Sequence, residues 1–303
     1  MDATGIAELN QRFGVAGKAT LVEGQGGLAA VRVTLPVATG EIYLHGSHVT
    51  QWKAAGASEE LLYLSSKARF AEGVAIRGGV PISFPWFADR KGRTDSPPHG
   101  FVRTKEWRLD GVWERGEGIL VKMSTRSDEG TRAAWEGEFE LEHWAMFGTE
   151  LRQELVVRNT GKEKFVFEEA LHAYYRVGDV RRTAIRGLGG ISYIDKNDGW
   201  KVKPQAGEFA LTEATDRIYL EARGPAELVD PELHRVVRVT KRNSRTTSVW
   251  NPWEAKAAGM SDVGTGEWSA FLCVEPNNVA EAGVELEAGE EHRMEMVSGV
   301  AGV

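Results

Sequence analysis

A chain of 303 residues with 42% hydrophobic and 27% charged side chains has enough apolar material for a sizeable core and does not have the composition of a disordered chain. Its formal net charge of −7 argues against a general nucleic-acid or anionic-membrane binder, so any bound anion must be caught by a local cluster of arginines. The single cysteine, Cys273, has no partner for an internal disulfide, which favours a reducing compartment. Along the chain, the apolar spacing of Ile6, Leu9 and Phe13 predicts one short helix from Asp2 to Phe13. That segment starts on an acidic residue and lacks the apolar run of a signal peptide. No later run approaches the ~20 residues needed to span a bilayer. A cytoplasmic protein is expected.

After Phe13 the pattern is dominated by period two. "LAAVRVTLP", "GEIYLHG", "GILVKMSTR", "FELEHWAMF" and "ELRQELVVRNTGKEKFVFEEALHAYYRV" all alternate or run β-branched and aromatic. So do "RIYLEA", "HRVVRVTKR", "TTSVWNPW", "WSAFLCVEP" and "HRMEMVSGV". Within the long segment, "NTGK" at Asn159–Lys162 predicts a hairpin turn. Heptads, fixed repeats and low-complexity linkers are missing. The expected architecture is all-β: one large twisted antiparallel β-sandwich over residues 1–303, with a short N-terminal helix.

Several stretches carry chemistry. "IRGGVPISFPWF" sets Arg77 before two glycines and brackets an apolar run with Pro81 and Pro85, which suits a loop whose backbone passes close to something. "DSPPHGFVR" approaches in extended form and delivers His99 and Arg103. Guanidinium forks suit phosphate oxygens, and rigid loops lower the ordering cost of using them, although either arginine taken alone reads as a surface ion pair. Between the two motifs, Arg90, Lys91 and Arg93 read as a solvated loop, with extra phosphate contacts as the alternative. In "EEALHAYYRV", alternation puts Leu171, Ala173, Tyr175 and Val177 on one side and His172, Tyr174 and Arg176 on the other. His172 therefore faces a polar surface or a cleft, either as a hydrogen-bonded sheet histidine or as a reactive group.

Asp195, after "GLGGISYI", either begins a turn or binds a hydroxyl. In "AFLCVEPNN", Phe271, Cys273 and Glu275 share a face. A carboxylate ending an apolar strand is partly desolvated and becomes a usable base, while the plain alternative is a glutamate bonded to loop amides. No dinucleotide, Walker, H-E-x-x-H or C-x-x-C motif occurs, so neither a cofactor nor a metal is expected.

In combination and in order, "IRGGVPISFPWF", "PPHGFVR", "LHAYYRVGDV", "GLGGISYID", "VWNPW" and "FLCVEP" resemble the glucose-6-phosphate 1-epimerases. These are hexose-6-phosphate mutarotases of the aldose 1-epimerase superfamily, and the resemblance spans roughly Leu61 to Val297. It implies a galactose-mutarotase-like sandwich and interconversion of the α and β anomers of a hexose 6-phosphate, with glucose 6-phosphate as the expected substrate. It implies that His172 and Glu275 are catalytic, that Arg77 and Arg103 bind phosphate, that His99 approaches the sugar and that Asp195 binds a hydroxyl. Gly78 and Gly79 would keep the backbone clear while Arg77 is aimed at the phosphate. A small phosphosugar is then the expected partner, with no nucleic acid, no membrane and a monomeric chain. Competing readings are an epimerase of unphosphorylated aldoses, a non-catalytic carbohydrate-binding sandwich, and a glycosidase using Asp195 and Glu275 as its acid pair.

Overall fold

The computed structural model describes residues 3–90 and 92–302; Asp2 and Lys91 lie outside the described residues. The N-terminal helix runs Ala3–Phe13, buries Ile6 and packs Leu9 and Phe13 against the core. It leads into a four-stranded antiparallel sheet ordered Ala19–Glu23, Ala29–Thr34, Ala38–Tyr43, His48–Ala54.

Two large sheets face one another. One has nine strands, among them Gly118–Arg126, Phe139–Phe147, Leu151–Asn159 and Glu291–Gly302. Strand Phe139–Phe147 buries every second residue, as its sequence alternation requires of a half-buried strand. The second sheet has eight strands and includes Ser192–Asp195, Thr215–Tyr219, Thr246–Asn251, Phe271–Asn278 and Glu169–Leu171, with Tyr174–Arg176 also paired to Phe271–Asn278. Its inner face sends Leu171, Tyr175, Val249, Leu272 and Val274 into one apolar cluster with Leu141, Leu155, Val237 and Met294 of the nine-stranded sheet. The Tyr175 hydroxyl meets Ser298 Oγ across that interface at 2.7 Å, so the one polar group of the buried ring is satisfied. The expected antiparallel sandwich is the observed fold, and the alternation of "LHAYYRV" between core and opposite face holds.

Three local expectations differ. Asn159–Lys162 is not a hairpin: Leu151–Asn159 belongs to the nine-stranded sheet, whereas the following strand Phe165–Phe167 pairs with Val284–Leu286. Asn159 accepts from Gly161 N through Oδ1 and donates Nδ2 to the carbonyls of Glu163 and Leu286, so its side chain fixes a change of sheet rather than a reversal. "TTSVWNPW" leaves the sheet at Asn251 and becomes a helix, Trp253–Ala258. A further helix, Glu129–Ala134, starts at a capping box between Asp128 and Thr131. No helix among the described residues is long and apolar enough to cross a membrane.

Candidate active site

The site lies on the outer face of the eight-stranded sheet, and strand register builds it. Phe271–Asn278 pairs with Glu169–Leu171 and with Tyr174–Arg176 in one unbroken register: Glu169 faces Asn278 and Tyr174 faces Cys273. His172, between the two short strands, is thereby set across from Glu275. Directly opposed residues have Cβ atoms about 5 Å apart, and here His172 Nδ1 lies 3.4 Å from Glu275 Oε1. At His172 the backbone leaves the ladder and donates instead to Pro81 O at 3.0 Å. The same register extends outward, because Glu275 faces Ser248 and Cys273 faces Trp250, while Trp250 faces Asp216. Two rows of side chains therefore share the outer face: Ile218, Ser248, Glu275 and His172 in one, Asp216, Trp250, Cys273 and Tyr174 in the other.

A cleft of about 260 Å³ opens over these rows, lined among others by Arg77, His99, Arg103, His172, Glu275, Lys196 and Asp216. Of the six residues singled out from the sequence, five line it and Asp195 does not. Asp195 is opposed to Arg217, and Arg217 to Val249, so it shares the inner face rather than the outer. It is occupied there, accepting from Asn197 N and from Lys203 Nζ at 2.8 Å. Its neighbour Lys196 turns into the cleft instead and pairs with Asp216 at 2.9 Å. A glycosidase acid pair of Asp195 and Glu275 is incompatible with this placement. Lys196 and Asp216 were not legible as site residues. A single strand shows which residues share a face, but not which face the cleft occupies.

The glycine pair before Val80 serves a different purpose from the one expected. Gly78 and Gly79 have φ of 109° and 62°. A Cβ on Gly78 would lie 2.4 Å from Tyr63 O, and one on Gly79 2.3 Å from Val49 O. The loop thus passes close to the protein's own strands, and it is this packing that fixes Arg77. The Arg77 guanidinium is held by Asp262 (Nε 3.1 Å, Nη2 3.0 Å to Oδ2) and donates Nη1 to the Tyr174 hydroxyl at 2.7 Å. Arg103 differs. Its Nη2 donates to Pro98 O at 2.8 Å, its Nε is enclosed without a partner, and it makes no ion pair among the described residues. His99 accepts the Ala88 N–H at Nδ1, which leaves its proton on Nε2. Arg90 lies over the Trp86 ring and donates to Ala134 O, and Arg93 pairs with Asp95; neither lines the cleft.

A family model described as aldose 1-epimerase matches residues 36–298. A relative from Escherichia coli (strain K12), provisionally named glucose-6-phosphate 1-epimerase, is 33% identical over 82% of this chain and 82% of its own. A Cenchrus ciliaris relative of the same provisional name is 34% identical over 84% of this chain and 78% of its own. Among solved structures, a provisionally assigned mutarotase (YeaD) from Salmonella typhimurium aligns with a TM-score of 0.89 at 29% identity, covering 98% of this chain and 100% of that one.

The chain belongs to the aldose 1-epimerase family. It is an isomerase, and burial shifts three titratable groups of its cleft. Burial, with Asp216 beside it, holds the carboxyl of the epimerase's Glu275 well above the usual carboxylate range. Burial, then the charges of Arg103 and Arg77, hold His172 well below the usual imidazole range, and burial does the same to His99. The pair therefore favours protonated carboxyl with neutral imidazole. Carboxylate with imidazolium carries the same number of protons, and the two groups are 3.4 Å apart. Neither Glu275 oxygen has a hydrogen-bond partner among the described residues, which leaves both available to a ligand. Among the described residues, the metal-ligand side chains that the fold gathers are His172, Cys273 and Glu275.

Proposed function

We propose that this epimerase interconverts the α and β anomers of a hexose 6-phosphate, glucose 6-phosphate foremost, with His172 and Glu275 as the acid/base pair and Arg77 and Arg103 as the phosphate contacts. The observation that carries the phosphate is the enclosed Arg103, unpaired and beside Arg77, in the cleft that holds His172 and Glu275. A buried cation without a counter-ion is unfavourable unless a ligand supplies one.

In this reading the Glu275 carboxylate removes the proton from the C1 hydroxyl while His172 protonates the ring oxygen. The C1–O5 bond breaks and leaves an open-chain aldehyde. Rotation about C1–C2 presents the other carbonyl face. The C5 hydroxyl then attacks C1, His172 takes its proton back, and Glu275 returns one to O1. The substrate's phosphate itself prepares the pair. Placed on Arg77 and Arg103, it offsets the two charges that depress His172 and so favours the protonated imidazole. His99, with Nε2–H free to donate, and Asp216 are positioned to hold sugar hydroxyls. We read the chain as one domain acting alone in the cytoplasm, supported by one apolar cluster that runs from Ile6 to Met296 and by a fully buried thiol. The test is anomer-exchange NMR on glucose 6-phosphate and free glucose side by side. Exchange accelerated for the phosphate ester well beyond free glucose supports the proposal; equal acceleration returns the enzyme to unphosphorylated aldoses.

A further inference from the structure

The geometry points to a binding site for a thiophilic, tetrahedral cation of the Zn²⁺ class, formed by His172, Cys273 and Glu275, in which bound metal and turnover exclude one another. That exclusion rests on the catalytic pair proposed above; the site itself does not. Cys273 and Glu275 are two apart on one strand and so project from the same face, and His172 stands opposite Glu275 in register. One ligand atom from each lies within 4.8 Å of the others. Zn–N and Zn–O bonds of about 2.0–2.2 Å at a tetrahedral angle place the two ligand atoms about 3.3–3.5 Å apart. The observed His172 Nδ1 to Glu275 Oε1 separation is 3.4 Å.

The donors are also free to coordinate. His172 Nδ1 and both Glu275 oxygens are buried and unpartnered among the described residues, so a cation would satisfy groups that nothing else satisfies. Cys273 is fully buried behind them, which leaves the cleft as the route in and its open side as the fourth position. Thiolate, imidazole and carboxylate together match Zn²⁺ and its neighbours better than Mg²⁺ or Ca²⁺, which take oxygen ligands. On binding, the thiol and the carboxyl release their protons to water. Metal then ties up the His172 and Glu275 side chains that would move the substrate's protons.

The experiment uses Zn²⁺ and Co²⁺ as probes on wild type, Cys273→Ala and Glu275→Gln. Competition against a chromophoric chelator is expected to give one Zn²⁺ per wild-type chain, and Co²⁺ a thiolate charge-transfer absorption. Zn²⁺ should stop anomer exchange on glucose 6-phosphate, and chelation should restore it. Without metal, Cys273→Ala should exchange within about twofold of wild type, lack the absorption, and need at least roughly tenfold more Zn²⁺ for half-inhibition, since loss of even an outer-shell partner costs 10–100-fold. Glu275→Gln keeps the thiol and should bind Zn²⁺ at least tenfold more weakly, a readout independent of turnover that stands even if Cys273→Ala fails to fold. No stoichiometric zinc, or equal zinc sensitivity in Cys273→Ala and wild type, overturns the site and leaves the catalytic pair untouched. Zinc bound through Cys273 with exchange unimpaired supports the site and overturns the catalytic pair instead.

Discussion

Replacing Arg103 with alanine is expected to separate recognition from folding. A guanidinium offers five N–H donors, and Arg103 commits one, Nη2, to Pro98 O. Arg77 has three of its nitrogens engaged by Asp262 and Tyr174. Arg103 therefore has more to give a phosphate. A hydrogen bond to a charged group contributes about 1.5–3 kcal/mol, which is roughly ten- to a hundredfold in affinity. KM for glucose 6-phosphate and the inhibition constant of inorganic phosphate should both rise by that factor, with exchange of free glucose unchanged. Arg103→Lys should recover only part of the loss, because an ammonium lacks the fork. The fold should respond in the opposite sense. Burial pulls the Arg103 guanidinium down to about 10, well below the usual arginine range. At neutral pH, where it is charged in folded and unfolded chains alike, a drop of that size corresponds to at most roughly 3 kcal/mol of lost stability. Lost packing of the side-chain stem offsets some of the gain from removing it. Urea unfolding should thus find Arg103→Ala at least as stable as wild type, and added phosphate should raise the Tm of wild type more than that of the variant. A destabilised variant that loses both sugars equally would show that Arg103 only holds the Pro98 loop.

Glu275→Gln and His172→Asn should each lower turnover by about 10²–10⁴-fold while retaining phosphosugar binding by calorimetry and a wild-type fold by circular dichroism; a variant that keeps most of its turnover refutes that residue's role. Asp216→Asn removes a charge that raises the Glu275 carboxyl, so the acid limb of the pH–rate profile should move to lower pH, and an unmoved limb would disconnect Asp216 from Glu275. Gly79→Ala forces a side chain to φ of 62° with its Cβ 2.3 Å from Val49 O; since the left-handed conformation alone costs about 1–2 kcal/mol, chemical denaturation should show a loss above that. His292 is held above its usual range: burial opposes its charge, but Glu169, 2.9 Å away, outweighs it. A raised folded pKa gives stability that is complete below the unfolded value of about 6.5 and disappears as pH rises through the folded value. Wild type should therefore lose Tm relative to His292→Gln as pH climbs from 6 toward 8, and parallel curves would contradict the ion pair.

The sequence by itself determined which residues share a face, because the two-residue period of a strand is a local property. Leu171 and Tyr175 had to point away from His172 and Tyr174, and Cys273 and Glu275 had to point together; the structure keeps both assignments. The resemblance to the glucose-6-phosphate 1-epimerases implied that Arg77, His99 and Arg103 join His172 and Glu275 at one site, and all five line one cleft. Tertiary structure decided what local periodicity leaves open. Register across about a hundred residues of intervening chain sets His172 opposite Glu275, and no spacing within either motif encodes it. It also decides that Asp216, opposite Trp250, joins the cleft while Asp195, opposite Arg217, belongs to the other face. The glycines after Arg77 announced a close approach, but only the fold shows that the neighbours are Tyr63 and Val49. Asn159 signalled a turn, and hydrogen bonds to Glu163 and Leu286 made it a crossing between sheets. Side-chain alternation and turn chemistry act over a few residues, whereas pairing partners and the face that stays open are settled by burial of the whole sandwich.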